Sequence, residues 1–293
     1  MSQVTVSAGQ TAETSRDARV VLPTRHPGRW SAATVILAVA ALAAVQIVNN
    51  ERFQWDVVRE YLFAEPILQG VVRTLMLTGS AMAIGIVLGV VFAVMRLSAN
   101  PILRSAAWVY SWFFRGTPLL VQLLFWYFLS ALYPTIGAGG LTWDTNSLIS
   151  ALTAALLGLG LNEGAYMSEI VRSGILSVPP GQSESAQALG MTRGQVLRRV
   201  VLPQAMRVII PPTGNETIGM LKNTALVLVI GYTELMTSAS LIYARTYQTI
   251  PLLIVAALWY LAISAVLSLG QFYVERHYGR GFSNSRVRKE KVK

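Results

Sequence analysis

The sequence is poor in charged residues. Only 13% of its 293 residues are charged and 53% are hydrophobic, whereas a soluble domain carries about 25% charged residues. This deficit predicts a membrane protein. There is no cysteine, and the two histidines, His26 and His277, lie in or beside the terminal tails. A disulfide framework and thiolate metal sites are therefore excluded, and we expect neither a metal nor a cofactor in this chain.

The chain also lacks the residues of a membrane-embedded enzyme. Its only aspartates, Asp17, Asp56 and Asp144, lie outside the apolar runs. A clustered catalytic set is therefore not available to the interior of a membrane domain.

The net charge of +10 is concentrated in a few places. Cations fill the N-terminal tail 1–29, the C-terminal tail 276–293 and two inner segments, 96–104 and 172–202. Basic residues beside apolar runs are typical of cytoplasmic loops. This placement argues against nucleic-acid binding, which a basic protein would otherwise suggest.

A helix needs about 20 residues to cross a bilayer. Six apolar stretches of the sequence are each about that long. They cover about residues 30–48, 71–95, 106–132, 148–171, 204–231 and 251–273. The predicted fold is therefore an all-α membrane protein, a polytopic bundle of about six transmembrane helices. An even number of spans places both termini on the same side of the membrane. We expect this side to be the cytoplasm, because the basic tails and basic inner segments then lie there.

The predicted domain organisation is simple. A flexible cytoplasmic tail (1–29) precedes a single transmembrane domain (30–275), and a basic cytoplasmic tail (276–293) follows it. Two outer loops are expected at 133–147 and 232–249. In the second span, Gly85 and Gly89 have the spacing of small residues that permits close helix approach.

The inner segment 178–204 is predicted to form two short helices. Its Pro-Pro pair at 179–180 suits a first helical turn, and Gly190 suits the left-handed residue after a helix. Thr192 and Gln195 have capping-box spacing for the second helix, and Pro203 is expected to mark a break before span five. An ordinary amphipathic linker is the alternative interpretation.

This segment resembles the coupling loop of ABC importer permeases. The matching residues are Glu184, Ala186, Gly190, Leu202 and Pro203. Ser185 and Val200 stand where the family favours Ala and Ile. By the resemblance, these residues form the loop that couples to an ATPase, with Glu184 and a small apolar face of Ala186, Ala188 and Leu189 turned to the partner.

Further motifs resemble the permeases of polar amino-acid importers. They are residues 114–122, 164–172 and 221–226, with Gly70 and Thr74 at the start of span two. The resemblance covers about residues 66–275.

The resemblance implies an inner-membrane permease subunit of an amino-acid ABC importer. Its partners would be cytoplasmic ATPase subunits, an extracytoplasmic substrate-binding protein and a second permease subunit, identical or different. The chain has no Gly-x-x-x-x-Gly-Lys-Ser/Thr loop, so we expect ATP and magnesium to bind the separate ATPase and this chain to be no enzyme.

Polar residues within the spans are candidates for a substrate pathway, because they are costly in a membrane. On helices, Asn162, Tyr166 and Glu169 share one face, and Asn215 and Lys222 share another. The candidates are Arg115, Asn162, Glu163, Tyr166, Glu169, Asn215, Lys222 and Asn223.

Each of these residues has an alternative role, because buried charges also pair between helices. Glu163 would favour cationic substrates if it faces the pathway, and it could instead lie in a helix-packing face. For the whole protein, the alternative function is a self-sufficient secondary transporter or channel.

Overall fold

A computed structural model describes residues 27–138 and 141–278. Most of the predicted tails, 1–29 and 276–293, therefore lies outside the described residues, and their predicted character is not tested. The helices in chain order are α1 (Pro27–Asn49), α2 (Trp55–Leu62), α3 (Glu65–Leu97), α4 (Pro101–Gly116), α5 (Leu119–Tyr127), α6 (Leu129–Leu132), α7 (Thr145–Leu148), α8 (Ala151–Leu176), α9 (Pro180–Ala188), α10 (Arg193–Val196), α11 (Leu202–Asn223), α12 (Leu235–Thr246) and α13 (Thr249–Tyr278).

Each predicted span coincides with helical structure. By length and composition alone, three helices of the described chain can cross a membrane: Ser31–Asn49, Glu65–Arg96 and Thr249–Tyr278. A fourth is added if the pair Arg193–Ile230 and Leu235–Thr246, bent by 46°, is one span. Span three is divided between α4, α5 and α6.

The chain divides into two units at Phe53 and Gln54. In the first unit, α1 is apolar and its residues 31–49 are all exposed. A short 3₁₀ turn, Glu51–Phe53, follows it.

In the second unit, α3 and α8 pack together along a seam of small residues. A Cβ placed on Gly85 would overlap the side chain of Glu163, and one on Gly89 would overlap Met167. The predicted close approach at these two glycines is therefore confirmed. Because neither glycine has a side chain, the backbones can come near enough for α8 to pack against α3.

Two apolar clusters hold this unit together. One joins α3, α5 and α8 with the 3₁₀ turn Thr224–Ile230 and includes Leu77, Leu123 and Leu159. The other joins α2, α3, α12 and α13 around Ile67 and Leu252. The core of this unit is thus mainly apolar, and a few polar residues such as Thr74 and Ser168 are buried with it.

The two predicted outer loops contain regular structure. Within 133–147, β1 (Thr135–Ala138) and β2 (Leu141–Asp144) form an antiparallel hairpin. The prediction of a loop at 232–249 was wrong for most of its length, because α12 occupies it. The carboxylate of Glu234 accepts hydrogen bonds from the backbone N–H groups of Met236 and Thr237 and so caps this helix.

The inner segment folds as two short helices, as predicted. Gly190 follows α9 with a left-handed φ of +82°. Thr192 and Gln195 form both hydrogen bonds of a capping box at the start of α10. The apolar face was predicted wrongly in part, because Ala186 is buried against Val196 within the helix pair.

The predicted break at Pro203 is absent. A π-helical turn, Leu197–Val201, joins α10 to α11 without interruption. In this turn the Leu202 N–H donates to the carbonyl of Leu197, five residues back. The wider turn is the reason that the helix can continue, since proline cannot donate the ordinary backbone hydrogen bond of an α-helix.

Candidate functional site

A cavity of about 550 Å³ lies between the α4–α5 junction, α8 and α11. Several predicted pathway residues lie in its lining. Its lining consists of Arg115, Gly116, Thr117, Pro118, Leu119, Asn162, Glu163, Tyr166, Glu216, Asn223 and Leu226.

The break between α4 and α5 forms one wall of this cavity. Pro118 has no N–H to donate to the carbonyl of Phe114, and Thr117 before it is extended (φ −112°, ψ 144°). The side-chain amides of Gln122 and Asn162 donate to that carbonyl instead, at 2.9 and 2.8 Å. The wall is therefore a non-helical backbone segment whose polar groups are satisfied.

The side chain of Gln122 also bonds to Thr117, the residue that follows α4. Its Nε2 donates to the carbonyl oxygen of Thr117 (3.1 Å) and to the Thr117 hydroxyl (2.8 Å). Irregular backbone at membrane depth is tolerated where it lines a cavity and its groups have partners. This explains why the sequence Arg-Gly-Thr-Pro occurs within an apolar stretch.

The cavity contains charges of both signs. The guanidinium of Arg115 lies over the ring of Tyr166, 5.3 Å from its centroid, in a cation–π contact. Glu163 is only 3% exposed, and its Oε1 has no hydrogen-bond partner among the described residues. Glu216 is a second, partly buried carboxylate in the lining.

The structure brings five of the eight predicted pathway residues together. Arg115, Asn162, Glu163, Tyr166 and Asn223 all line the cavity. Whether they contact a substrate stays a prediction.

The other three lie elsewhere. Glu169 is hydrogen-bonded to Arg172 and lies 3.7 Å from Arg96 of α3, so it pairs between helices as the alternative role describes. Asn215 accepts a hydrogen bond of 2.9 Å from Gln271 of α13. Lys222 is exposed and does not line the cavity.

The predicted face of α11 with Asn215 and Lys222 does not line this cavity. Asn215 and Lys222 share a face, but Glu216 and Asn223 are the pair that lines the cavity. Residues seven apart return to the same face of a helix. The spacing of Glu216 and Asn223 was thus a usable signal, and only the packing of α11 decides between the two faces.

The predicted coupling-loop residues differ in exposure. Glu184 is exposed at the surface of α9 and Pro203 on α11, while Leu202 is half-buried. Ala186 is 6% exposed and packs inside the pair, whereas Leu189 is 84% exposed. The outer surface of this loop therefore presents Glu184 and Leu189, while Ala186 packs inside the pair and Gly190 forms the exposed left-handed turn between the two helices.

Apolar helices around a polar cavity define an integral membrane permease. The family of the binding-protein-dependent transport system inner membrane component matches residues 85–280. This match covers α4 to α13 and the last part of α3. The chain belongs to this family.

Curated relatives agree with the family. The arginine transport system permease protein ArgU of Corynebacterium glutamicum is 50% identical over 261 residues, 88% of this chain and 83% of its own. The histidine/lysine/arginine/ornithine transport system permease protein HisM of Salmonella typhimurium is 39% identical over 198 residues, 68% of this chain and 83% of its own.

Solved structures show the same fold. A crystal structure of an amino acid ABC transporter with histidines has a TM-score of 0.65 and 37% identity, covering 72% of this chain and 94% of that one. An inward-facing structure of the MetNI methionine ABC transporter has a TM-score of 0.59, with 74% of this chain and 99% of that one covered. At 20% identity, this second likeness concerns the fold alone.

Proposed function

We propose that this chain forms the substrate pathway of an ATP-driven amino-acid importer that favours cationic amino acids. The observation that carries the proposal is Glu163, a buried carboxylate with an unpartnered oxygen in the lining of a polar cavity. A buried charge without partners costs free energy. A cationic ligand that pairs with it would offset this cost.

The charges of the cavity match those of such a ligand. An amino acid carries a carboxylate and an ammonium group, and a cationic one adds a second positive charge. Arg115 supplies a cation for the carboxylate, while Glu163 and Glu216 supply two anions. Relatives named for arginine and for histidine, lysine, arginine and ornithine support this choice.

The proposed assembly follows the family. ATP and magnesium bind a separate cytoplasmic ATPase, an extracytoplasmic binding protein delivers the substrate, and a second permease subunit completes the pathway. Both termini and the loop 178–204 lie on the cytoplasmic side of a bacterial inner membrane. The exposed Glu184 and Leu189 support a role of this loop in contacting the ATPase.

The first test is uptake in proteoliposomes that contain the chain with its ATPase and binding protein. Labelled arginine, lysine, histidine, glutamine and glutamate are supplied in turn. We expect uptake of the cationic amino acids that requires both ATP and the binding protein. Uptake that continues without ATP and follows an ion gradient would favour the secondary transporter instead.

A second test concerns Glu163. Glu163→Gln removes the buried charge, and we expect the preference for arginine over glutamine to fall about tenfold, since a hydrogen bond to a charged group contributes about 1.5–3 kcal/mol. Glu275→Gln is the matched control, because Glu275 bonds to Gln271 outside this cavity. An unchanged preference in Glu163→Gln would remove Glu163 from the site.

A third test concerns the coupling loop. Gly190→Val places a β-branched residue at a left-handed position, and we expect ATPase co-purification and uptake to fall together. Gly190→Asn is the matched control, because asparagine has similar bulk and tolerates this conformation. If both variants behave like the native chain, the shape of the loop is not what couples it.

A further inference from the structure

A second cavity, of about 370 Å³, lies where α3 ends, α4 begins and α8 ends. It shares no lining residue with the proposed substrate cavity. Its lining consists of Arg96, Arg104, Ser105, Trp108 and Arg172. Arginines from three helices therefore line one small volume.

The positive charge of this cavity is only partly neutralised. Glu169 is hydrogen-bonded to Arg172 and lies 3.7 Å from Arg96. The side chains of these two arginines are 27% and 19% exposed. One carboxylate thus stands against three cations, of which Arg96 and Arg172 are partly enclosed and Arg104 is exposed. An anion would stabilise such an arrangement.

The position of Arg104 makes this excess more marked. Arg96 lies in the last turn of α3, where the helix dipole favours a cation. Arg104 lies in the first turn of α4, where the dipole is positive and disfavours a cation. In the part of the chain that the structure describes, no acidic side chain pairs with Arg104.

The remaining lining residues indicate what kind of anion fits. Trp108 lies one turn after Arg104, is 53% exposed and stacks on Trp112 with 6.2 Å between ring centroids. Exposed tryptophan is typical of the headgroup level of a membrane. Guanidinium groups bind phosphate oxygens in pairs, and the Ser105 hydroxyl adds a further donor.

We propose that this cavity binds the phosphate group of an anionic phospholipid, with Arg104 as its main specific contact. Its placement in the cytoplasmic leaflet rests on the proposed function, since that fixes which side the segment 96–104 faces. The headgroup phosphate would bind between the end of α3, the start of α4 and the end of α8, where three arginines outnumber the one carboxylate.

The test is native mass spectrometry of the full-length chain in detergent, with phosphatidylglycerol, phosphatidylcholine and inorganic phosphate titrated separately. We expect phosphatidylglycerol to bind most tightly. Arg104→Gln should weaken its binding about fivefold, the effect of one cation near a membrane anion. Arg104→Lys should lose less, because it keeps the charge but not the paired donors.

Arg207→Gln is the matched control, because Arg207 is exposed on α11 and does not line this cavity. Equal binding of the two lipids, or equal loss in the Arg104 and Arg207 variants, would overturn the proposal. Binding of inorganic phosphate alone would reject the lipid as its source. Lipid binding needs neither ATP nor substrate, so its outcome is independent of the uptake experiments.

Discussion

Two buried glutamates of this chain have opposite surroundings. Glu234 is fully buried, and five donor groups on three helices, α3, α12 and α13, lie within hydrogen-bond distance of its carboxylate. Glu163 is almost as deeply buried, yet its Oε1 has no partner among the residues described. One carboxylate is therefore part of the scaffold, and the other keeps its binding capacity open towards a cavity.

Both glutamates depend on glycines of α3. A Cβ on Gly70 would lie 2.8 Å from Ser238 Oγ and 3.1 Å from the carbonyl oxygen of Glu234. One on Gly85 would overlap the Glu163 side chain. A glycine of α3 thus makes room for the hydrogen-bonded Glu234 at one position and for Glu163, with its unpartnered oxygen, at another.

The largest effect is expected for Glu234→Ala. It leaves the hydroxyls of Thr74 and Tyr260 and the backbone N–H of Thr237 without their acceptor, and each unsatisfied buried group costs about 1–3 kcal/mol. We expect a loss of about 3 kcal/mol or more in the free energy of unfolding, measured by thermal unfolding in detergent. The control is Glu60→Ala at an exposed site, and equal stability of the two variants would contradict the scaffold role.

The next effect is expected for Gly85→Val. The added side chain must displace Glu163 or separate α3 from α8, and overpacking of this kind costs about 1–3 kcal/mol. Gly79→Val on the same helix is the control, because no atom lies within 4 Å of its Cβ position. We expect the unfolding temperature and arginine uptake to fall in Gly85→Val and to stay unchanged in Gly79→Val. Normal uptake in Gly85→Val would show that α3 and α8 can move apart without loss of transport.

A smaller effect is expected for Tyr260→Phe. It removes a hydrogen bond of 2.7 Å from the Tyr260 hydroxyl to Glu234 Oε2, and such bonds to charged groups contribute about 1.5 kcal/mol or more. Tyr273→Phe at an exposed site of α13 should be neutral. The comparison of the two unfolding temperatures measures this one bond, and the absence of a difference would mean that Glu234 replaces the donor.

The smallest effect on stability is expected for Glu163→Gln. No hydrogen bond to Oε1 is lost, and a neutral amide is less costly to bury than a carboxylate. Thermal unfolding should therefore show no loss of stability, because the variant no longer buries an unpaired carboxylate. A loss as large as that of Glu234→Ala would show that the two acids have the same role.

Features with local causes could be predicted from the sequence. The helices follow from apolar stretches of sufficient length, and the helix pair of the inner segment follows from Gly190 and the Thr192–Gln195 capping box. The seam at Gly85 and Gly89 follows from their spacing. In each case, the residues that determine the structure lie within about two turns of one another.

Features with distant partners could not be predicted. The helix α12 begins at Glu234, whose partners Thr74 and Tyr260 lie 160 and 26 residues away. The choice of Glu216 over Asn215 depends on which side of α11 meets α8.

The wide turn before Pro203 has a consequence for the dimensions of the protein. The uninterrupted helix from Arg193 to Ile230 is about 55 Å long at about 1.5 Å per residue. Even at a steep tilt of about 40°, it would extend about 42 Å along the membrane normal, whereas the hydrocarbon layer is about 30 Å thick. At least about 10 Å of it therefore lies outside the hydrocarbon layer, in the headgroup region or in the water beyond it.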